Sequence, residues 1–504
     1  MPNAIHPGGR TPAAARKLLV LIAFTAFIVH SPSSPAGEPA ALDTGAFWRA
    51  AAEQDVRAAH GLLEENHPGA LAEVGDTAFL RALEQGQAAA VARAATVTTY
   101  EGYAATLAAF ADTFKDKHIW SRPVYVLARP EWAGILVSKR GDRWIVVDED
   151  GTPGVDSVKG AELTDCDGPS PEEWARRTLG VFRVDWSVGA QQIQAAPWLL
   201  VDEHNPFVSR PIACTFLKNG QPLKITLAWR PIKRELLLPR IAAAGGAGAA
   251  GFGVRAVGDG YWIGLQSLLD PAAAVVAEVA AKADILRDAR FVVLDLRGNG
   301  GGSSIFGDQI ARSLMGAGYV DRIIDASDDD CDDVWRTSDG NLRQLQFYLD
   351  KMSASRGPEF TRIVTKQLND SKSARAAGHA LSGSIKCGRK SMPAAGHGRA
   401  ASALKGRLIL LTDNLCFSSC LVVTKDFREL GALHVGQTTD SNTHYTENRE
   451  ELMPSGLSKF STQQAMAPSE PMQYGPFVPN VPYEGDIADT AALERWVTAL
   501  AAAH

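Results

Sequence analysis

Apolar positions along the first third of the chain recur at helical spacing. From Thr44 to about Phe114 the residues are rich in Ala, Leu, Glu and Arg. Phe47, Val56, Leu62 and Leu63, then Phe79, Leu80 and Leu83, fall on helix faces. His67-Pro68-Gly69 between them is a turn signal, which accounts for His67. The pattern predicts a helical N-terminal domain over 44–119. From Trp120 to about 240 the texture changes to short β-type runs, such as Ile135-Leu136-Val137 and Trp144-Ile145-Val146-Val147. Leu223-Lys224-Ile225-Thr226-Leu227 alternates in period two, and Lys218-Asn219-Gly220-Gln221 before it reads as a hairpin turn. One helix is expected near Pro171 to Leu179.

A Gly/Ala-rich stretch follows, read as a flexible linker over 241–258. Beyond it, buried strands alternate with helices. Strands are expected at Tyr261–Leu265, Phe291–Leu294, Leu408–Leu411 and Leu433–Val435, with helices at Ala272–Ile285, Ile305–Leu314 and Leu421–Leu430. Such alternation predicts a largely parallel sheet covered by helices, an α/β domain over 259–504. The polar, charged sequence over 324–405 reads as an insertion, a possible lid.

The N-terminus adds a location. Arg10, Arg16 and Lys17 precede the apolar run Leu18–Val29, and a small-residue stretch with Ser34, Pro35 and Ala36 follows. That order predicts a cleaved signal peptide over 1–36 and a periplasmic or secreted protein; the alternative is an uncleaved anchor. No later segment is long and apolar enough to span a bilayer. The formal net charge of −6 shows no basic bias, which argues against nucleic acid as a partner. Six cysteines in an exported chain suggest disulfides; Cys166 with Cys214 and Cys331 with Cys387 are the expected pairs, since each lies within one segment. No CxxC or suitably spaced histidine supports zinc, so no metal is expected. The acidic run Asp328-Asp329-Asp330 with Asp332 and Asp333 lacks EF-hand spacing and reads as a solvated loop.

Two stretches carry chemistry. Val292-Val293-Leu294-Asp295-Leu296-Arg297-Gly298-Asn299-Gly300-Gly301-Gly302-Ser303 runs from a buried strand into a glycine-rich loop before a helix. Phosphate binding fails in detail. A dinucleotide fingerprint would need glycine at 303, and no Walker Gly-Lys-Ser/Thr follows, so no cofactor is expected. A structural turn and an oxyanion hole remain. Asp413-Asn414-Leu415-Cys416-Phe417-Ser418-Ser419-Cys420 also links a buried strand to a helix. A serine there is either a helix N-cap or a nucleophile on a sharp turn.

Taken together, Asp-Leu-Arg-x-Asn-x-Gly-Gly after a strand, the Phe-Ser-Ser turn, and Gly431-Ala-Leu-His-Val-Gly436-Gln-Thr-Thr439 resemble the core of the S41 peptidases, the C-terminal processing or tail-specific proteases. The resemblance implies a helical N-terminal part, a PDZ-like module over 120–240, and a ClpP/crotonase-like α/β catalytic core. It also implies an acyl-enzyme mechanism of endopeptidase or carboxy-terminal processing type on peptide or unfolded-protein substrates. The family's spacing to Gly431 selects Ser418 as nucleophile, with Ser419 and the Gly300-Gly301 loop supplying oxyanion amides.

The sequence departs from the Ser-Lys branch. Ser441, Asn442, Thr443 and His444 stand where its lysine is expected, and no lysine follows until Lys459. Asp116-Lys117-His118 resembles the Asp-x-His sequence of histidine-using, tricorn-like relatives, which implies His118 as general base. His444 is the rival. Glu447 is the expected orienting acid, with Glu470 and Glu484 as alternatives. A second function stays open: a non-catalytic, lipid-carrying protein on the same core, resembling retinoid-binding proteins.

Overall fold

The computed structural model describes residues 45–151, 157–327, 331–387 and 401–503. The expected signal peptide and the Asp328-Asp329-Asp330 run lie outside these residues. Three helices open the described chain: α1 (Gly45–Asn66), α2 (Thr77–Ala94) and α3 (Tyr100–Asp112). Asp76 and Thr99 cap α2 and α3 by accepting the amides of Phe79 and Gly102. Val56, Leu63, Phe79, Leu83, Leu107 and Phe110 make their common core, and Leu457 and Phe460 from far along the chain complete it. The helical part is therefore not self-contained.

The β module is an antiparallel sheet of β1 (Ile135–Arg140), β2 (Arg143–Glu149), β3 (Glu162–Cys166), β4 (Ala213–Lys218) and β5 (Gln221–Thr226), in that order. The turn between β4 and β5 places Asn219 at φ 51° and Gly220 at φ 79°, the two positive values that a tight hairpin turn demands. Between β3 and β4 come α4 (Pro171–Phe182) and α5 (Gly189–Ala195). The Cys166–Cys214 disulfide ties β3 to β4 at paired positions, and Cys331–Cys387 also forms, both as expected.

The α/β core is a six-stranded sheet. Its order is β6 (Phe252–Val257), β7 (Gly260–Leu265), β8 (Phe291–Asp295), β9 (Arg407–Thr412), β10 (Leu433–Gly436) and β13 (Val481–Pro482), parallel except for the β6–β7 hairpin. Its central strands are apolar on both faces because both are covered. Val292, Leu294 and Leu410 face α6 (Ala272–Ala281), α7 (Ile305–Met315) and α9 (Ser419–Glu429), whereas Val293, Ile409 and Leu411 face α10 (Thr490–Ala503).

One expectation is corrected. The stretch over 241–258 is not a free linker: a helix spans Arg234–Ala244, and Phe252–Val257 is the edge strand β6. Gly248 within the stretch serves close packing rather than flexibility. The Gly248 amide donates to Asp413 Oδ2 at 3.2 Å, and a Cβ added there would meet Arg297 Cβ at 2.9 Å. The described part of the 324–405 stretch is built on a helix. It holds the long, kinked helix α8 (Asp339–Ala376), whose Leu345, Tyr348, Val364 and Leu368 pack on Trp335 and Ala465. A helix with one buried stripe carries mostly polar residues, which explains the polar composition of this stretch.

One long hairpin, β11 (Tyr445–Leu452) and β12 (Ser458–Met466), joins the parts. β12 pairs antiparallel with Ser121–Pro123, just beyond α3, and with Val334–Trp335 from the insertion. It therefore links the helical part to the insertion, with Phe460 in the core of the one and Ala465 in the core of the other.

Candidate active site

Ser418 sits between β9 and α9 at φ 58° and ψ −128°, a backbone conformation rarely adopted by a residue with a Cβ. Its side chain makes no capping bond to the helix, so the N-cap alternative does not hold. The turn is restrained on every side. Phe417 N donates to Asn299 O at 3.3 Å, Leu421 N to Ser418 O at 2.8 Å, and Ser419 Oγ to Gly302 O at 2.6 Å. A third disulfide, Cys416–Cys420, brackets the serine. In the chain-entropy view, a loop this short contributes about 2 kcal/mol to stability, against about 4 kcal/mol for the much longer Cys166–Cys214 loop. Replacing both Cys416 and Cys420 by serine is thus expected to cost less stability than removing Cys166–Cys214, yet more turnover. Denaturation midpoints and kcat, measured on both variants, check this ordering.

The glycine loop is held by its polar residues. Arg297 folds back onto Asp295 (Nη2 to Oδ2 2.7 Å), where both are buried at the end of β8. Asn299 donates to Leu265 O at 2.6 Å and accepts the Gly301 amide at 2.9 Å. That last bond corrects the expected oxyanion set: the Gly301 amide is committed to Asn299. Gly301 instead provides space, since at φ 102° an added Cβ would lie 2.8 Å from Ser418 Cβ. The amides of Gly300 and Ser419 have no acceptor among the described residues.

His118 follows α3 and lies 300 residues from Ser418 in sequence. The fold brings its Nε2 to 3.0 Å from Ser418 Oγ. Its Nδ1 is 2.9 Å from Asp116 Oδ1, which also accepts the His118 amide at 2.8 Å. The Phe417 ring lies against the imidazole, with centroids 4.6 Å apart. β12 fixes this segment: Ser461 Oγ donates to His118 O and accepts the Trp120 amide, each at 2.7 Å.

Asp116 therefore takes the position expected of Glu447. Burial alone would raise its carboxyl, but the charge of His118 and hydrogen bonds from His118 and Thr443 outweigh that and hold it well below the usual carboxylate range. Gln463 Nε2 also donates to Asp116 Oδ2 at 2.9 Å. The chain of contacts continues outward. Gln463 Oε1 lies 2.9 Å from His67 Nε2, and His67 Nδ1 accepts the Gly69 amide at 3.0 Å. His67 thus holds its turn, as expected, and also reaches the site through Gln463.

Burial lowers His67 to about 3, so the folded protein keeps it neutral. Between that value and the unfolded one near 6.5, the unfolded chain binds the extra proton, and the stabilisation is lost as pH falls through this window. The stability gap between the wild type and His67→Gln is expected to narrow from pH 7 to pH 4. Urea denaturation across that range measures it.

The remaining residues lie elsewhere. Glu447 is buried on β11 at φ 61°, and the Tyr348 hydroxyl is raised by its own burial and then by the Glu447 charge. A strand's alternation says which face a residue takes but not which neighbour waits there. Glu470 pairs with Lys425 at 2.7 Å, and Glu484 is exposed. His444 is buried against Tyr445, its pKa lowered by burial, with Nδ1 3.4 Å from Glu470 O. Asp116, Thr443, Ser461 and Gln463 were missed in the sequence. Only Asp116 had a signal, in its spacing to His118.

A further buried carboxylate anchors the β module here. Asp440 accepts from Lys117 at 2.8 Å and from Gln191 and Gln194 of α5 at 2.9 and 3.1 Å. Lys117 and His118 thus leave the same turn toward two different carboxylates.

Residues 263–471 match the model of peptidase family S41. The chain carries an S41 peptidase domain. That family assignment supports a peptidase function. A comparison with the curated proteins finds no match. Among solved structures, mature CPAF complexed with lactacystin aligns over 90% of this chain and 99% of its own, at 15% identity and TM-score 0.58. Mature CPAF alone aligns over 90% and 98%, at 14% identity and TM-score 0.55. At such identity these likenesses show a shared fold. The S41 match begins in β7 and ends beyond β12, so it covers Ser418 and the glycine loop but neither His118 nor Asp116. Among the described residues no helix is long and apolar enough to cross a membrane.

Proposed function

We propose that this chain is an exported serine peptidase that cleaves peptides or unfolded proteins through an acyl-enzyme on Ser418. One observation carries the reading. A strained serine and a carboxylate-backed histidine, distant in sequence, meet at 3.0 Å. Ser418 Oγ attacks the scissile carbonyl carbon while its proton passes to His118 Nε2. Asp116 holds the proton on Nδ1 and stabilises the imidazolium. The carbonyl oxygen takes the negative charge and accepts from the amides of Gly300 and Ser419. As the tetrahedral species collapses, the C–N bond breaks and His118 protonates the leaving amine. Water then adds to the acyl carbon, its proton going to His118. The C–Oγ bond breaks, releasing the new carboxyl end and returning the proton to Ser418.

Three disulfides among the described cysteines fit an oxidising compartment, which agrees with the leader-like sequence over 1–36. The antiparallel β module ends at β5, a mostly exposed edge strand suited to receiving an extended peptide by strand addition.

A fluorophosphonate probe tests the reading. Stoichiometric labelling of the wild type, absent in Ser418→Ala, is the expected result. A wild type that stays unlabelled would overturn the assignment and favour the carrier function on the same core.

A further inference from the structure

A cavity of about 380 Å³ lies between α3, α4 and the segment 198–211, outside the Ser418–His118 pair. Its lining is mainly apolar, with Trp120, Trp174, Trp198 and Phe182 prominent; its charged members are Glu101, Asp112, Arg183, Asp202, Glu203 and Arg210, the last paired with Asp202. This is the size and character of a small-ligand or side-chain pocket. Trp120, two residues beyond His118, connects it to the catalytic segment.

The polar groups set what would fit. Arg183 is already satisfied: its guanidinium bonds to Glu203 and lies 3.9 Å from the centroid of the Trp198 ring. That stacking shows the ring's ability to take a cation on its face. Asp112 differs. Its Oδ2 is buried without a hydrogen-bond partner among the described residues. Burial pushes the carboxyl up to about 7, against the opposing charges of Lys115 and Arg183 and with that of Asp185. A lone buried carboxyl oxygen at the end of a helix costs stability unless a donor meets it. A group that brought both a hydrogen bond and a positive charge, on a stem that covers the tryptophans, would complement Asp112 and the aromatic lining.

We propose that this cavity receives the basic side chain, ammonium or guanidinium, of a peptide bound toward Ser418. The peptide part of this statement rests on the peptidase reading; the recognition of the cation does not. Asp112 is the charge partner and the tryptophans hold the alkyl stem.

The test uses the full chain carrying Ser418→Ala, which prevents turnover. Blocked pentapeptides, acetyl-Ala-Ala-X-Ala-Ala-amide with X as lysine, arginine or norleucine, are titrated by calorimetry and tryptophan fluorescence, with n-butylamine as the free amine. Lysine and arginine peptides are expected to bind about tenfold tighter than the norleucine peptide, the scale of one well-placed charge contact. Adding Asp112→Asn, which is isosteric, should abolish that preference without lowering the melting temperature. Equal binding of lysine and norleucine peptides overturns the proposal, as does a preference that survives Asp112→Asn. Binding of n-butylamine as tight as the lysine peptide overturns the peptide part. Failure of the peptidase reading shows separately, as absent fluorophosphonate labelling of the wild type.

Discussion

Asp116→Asn is expected to lower kcat/KM for peptide hydrolysis by on the order of 10⁴-fold with little change in KM. The argument rests on which nitrogen carries the proton. Asp116 Oδ1 accepts from both the backbone amide and Nδ1 of His118, while its other oxygen takes Thr443 and Gln463. The carboxylate therefore enforces the tautomer that leaves Nε2 free to accept from Ser418. An asparagine keeps the shape but can turn its NH₂ toward Nδ1, which moves the ring proton to Nε2 and removes the base. The carboxyl is held far below the usual range, so Asp116 stays ionised at every pH at which the site works. Glu447→Gln, by contrast, should leave the fluorophosphonate labelling rate unchanged. Steady-state kinetics and labelling rates on the two variants decide between the carboxylates. If Asp116→Asn keeps wild-type kcat, the role given to Asp116 is wrong.

Gly301→Ala should have the next largest effect, a loss of about 10²-fold or more in kcat/KM. A Cβ at this position would sit 2.8 Å from Ser418 Cβ, 2.9 Å from Phe417 O and 3.1 Å from Ser419 N, all in the nucleophile turn. The backbone is also at φ 102°, where a side chain brings strain of about 1 to 3 kcal/mol. Neither turn can yield easily, because Asn299 and the Cys416–Cys420 disulfide hold them in place. Gly300→Ala is the control for stability: a Cβ there meets nothing within 4 Å, so the denaturation midpoint should hardly move. Equal activity of Gly301→Ala and wild type would show that the loop has more freedom than this packing allows.

Much of the fold was legible where local rules act alone. The apolar runs Phe291–Leu294 and Leu408–Leu411 became the central strands β8 and β9, since strands covered on both faces carry no polar alternation. The Lys218–Gln221 turn formed as read, because Asn and Gly tolerate the backbone it needs. Glycines misled in the stretch over 241–258. The same lack of a side chain that permits flexibility also permits the close approach seen at Gly248.

The sequence by itself determined the chemical parts: a serine on a strand-to-helix turn, a glycine loop beside it, and an Asp-x-His segment with no nearby lysine. Only the tertiary structure decided how they combine. Asp116 and not Glu447 meets the imidazole, and Asn299 takes the Gly301 amide; both contacts span two residues within one turn, but the packing opposite decides whether the histidine turn faces Ser418. The hairpin β11–β12 makes that choice, pairing with Ser121–Pro123 and placing Ser461 and Gln463 against the histidine segment. Pairing between segments more than three hundred residues apart is governed by packing of the whole core, which no local pattern encodes.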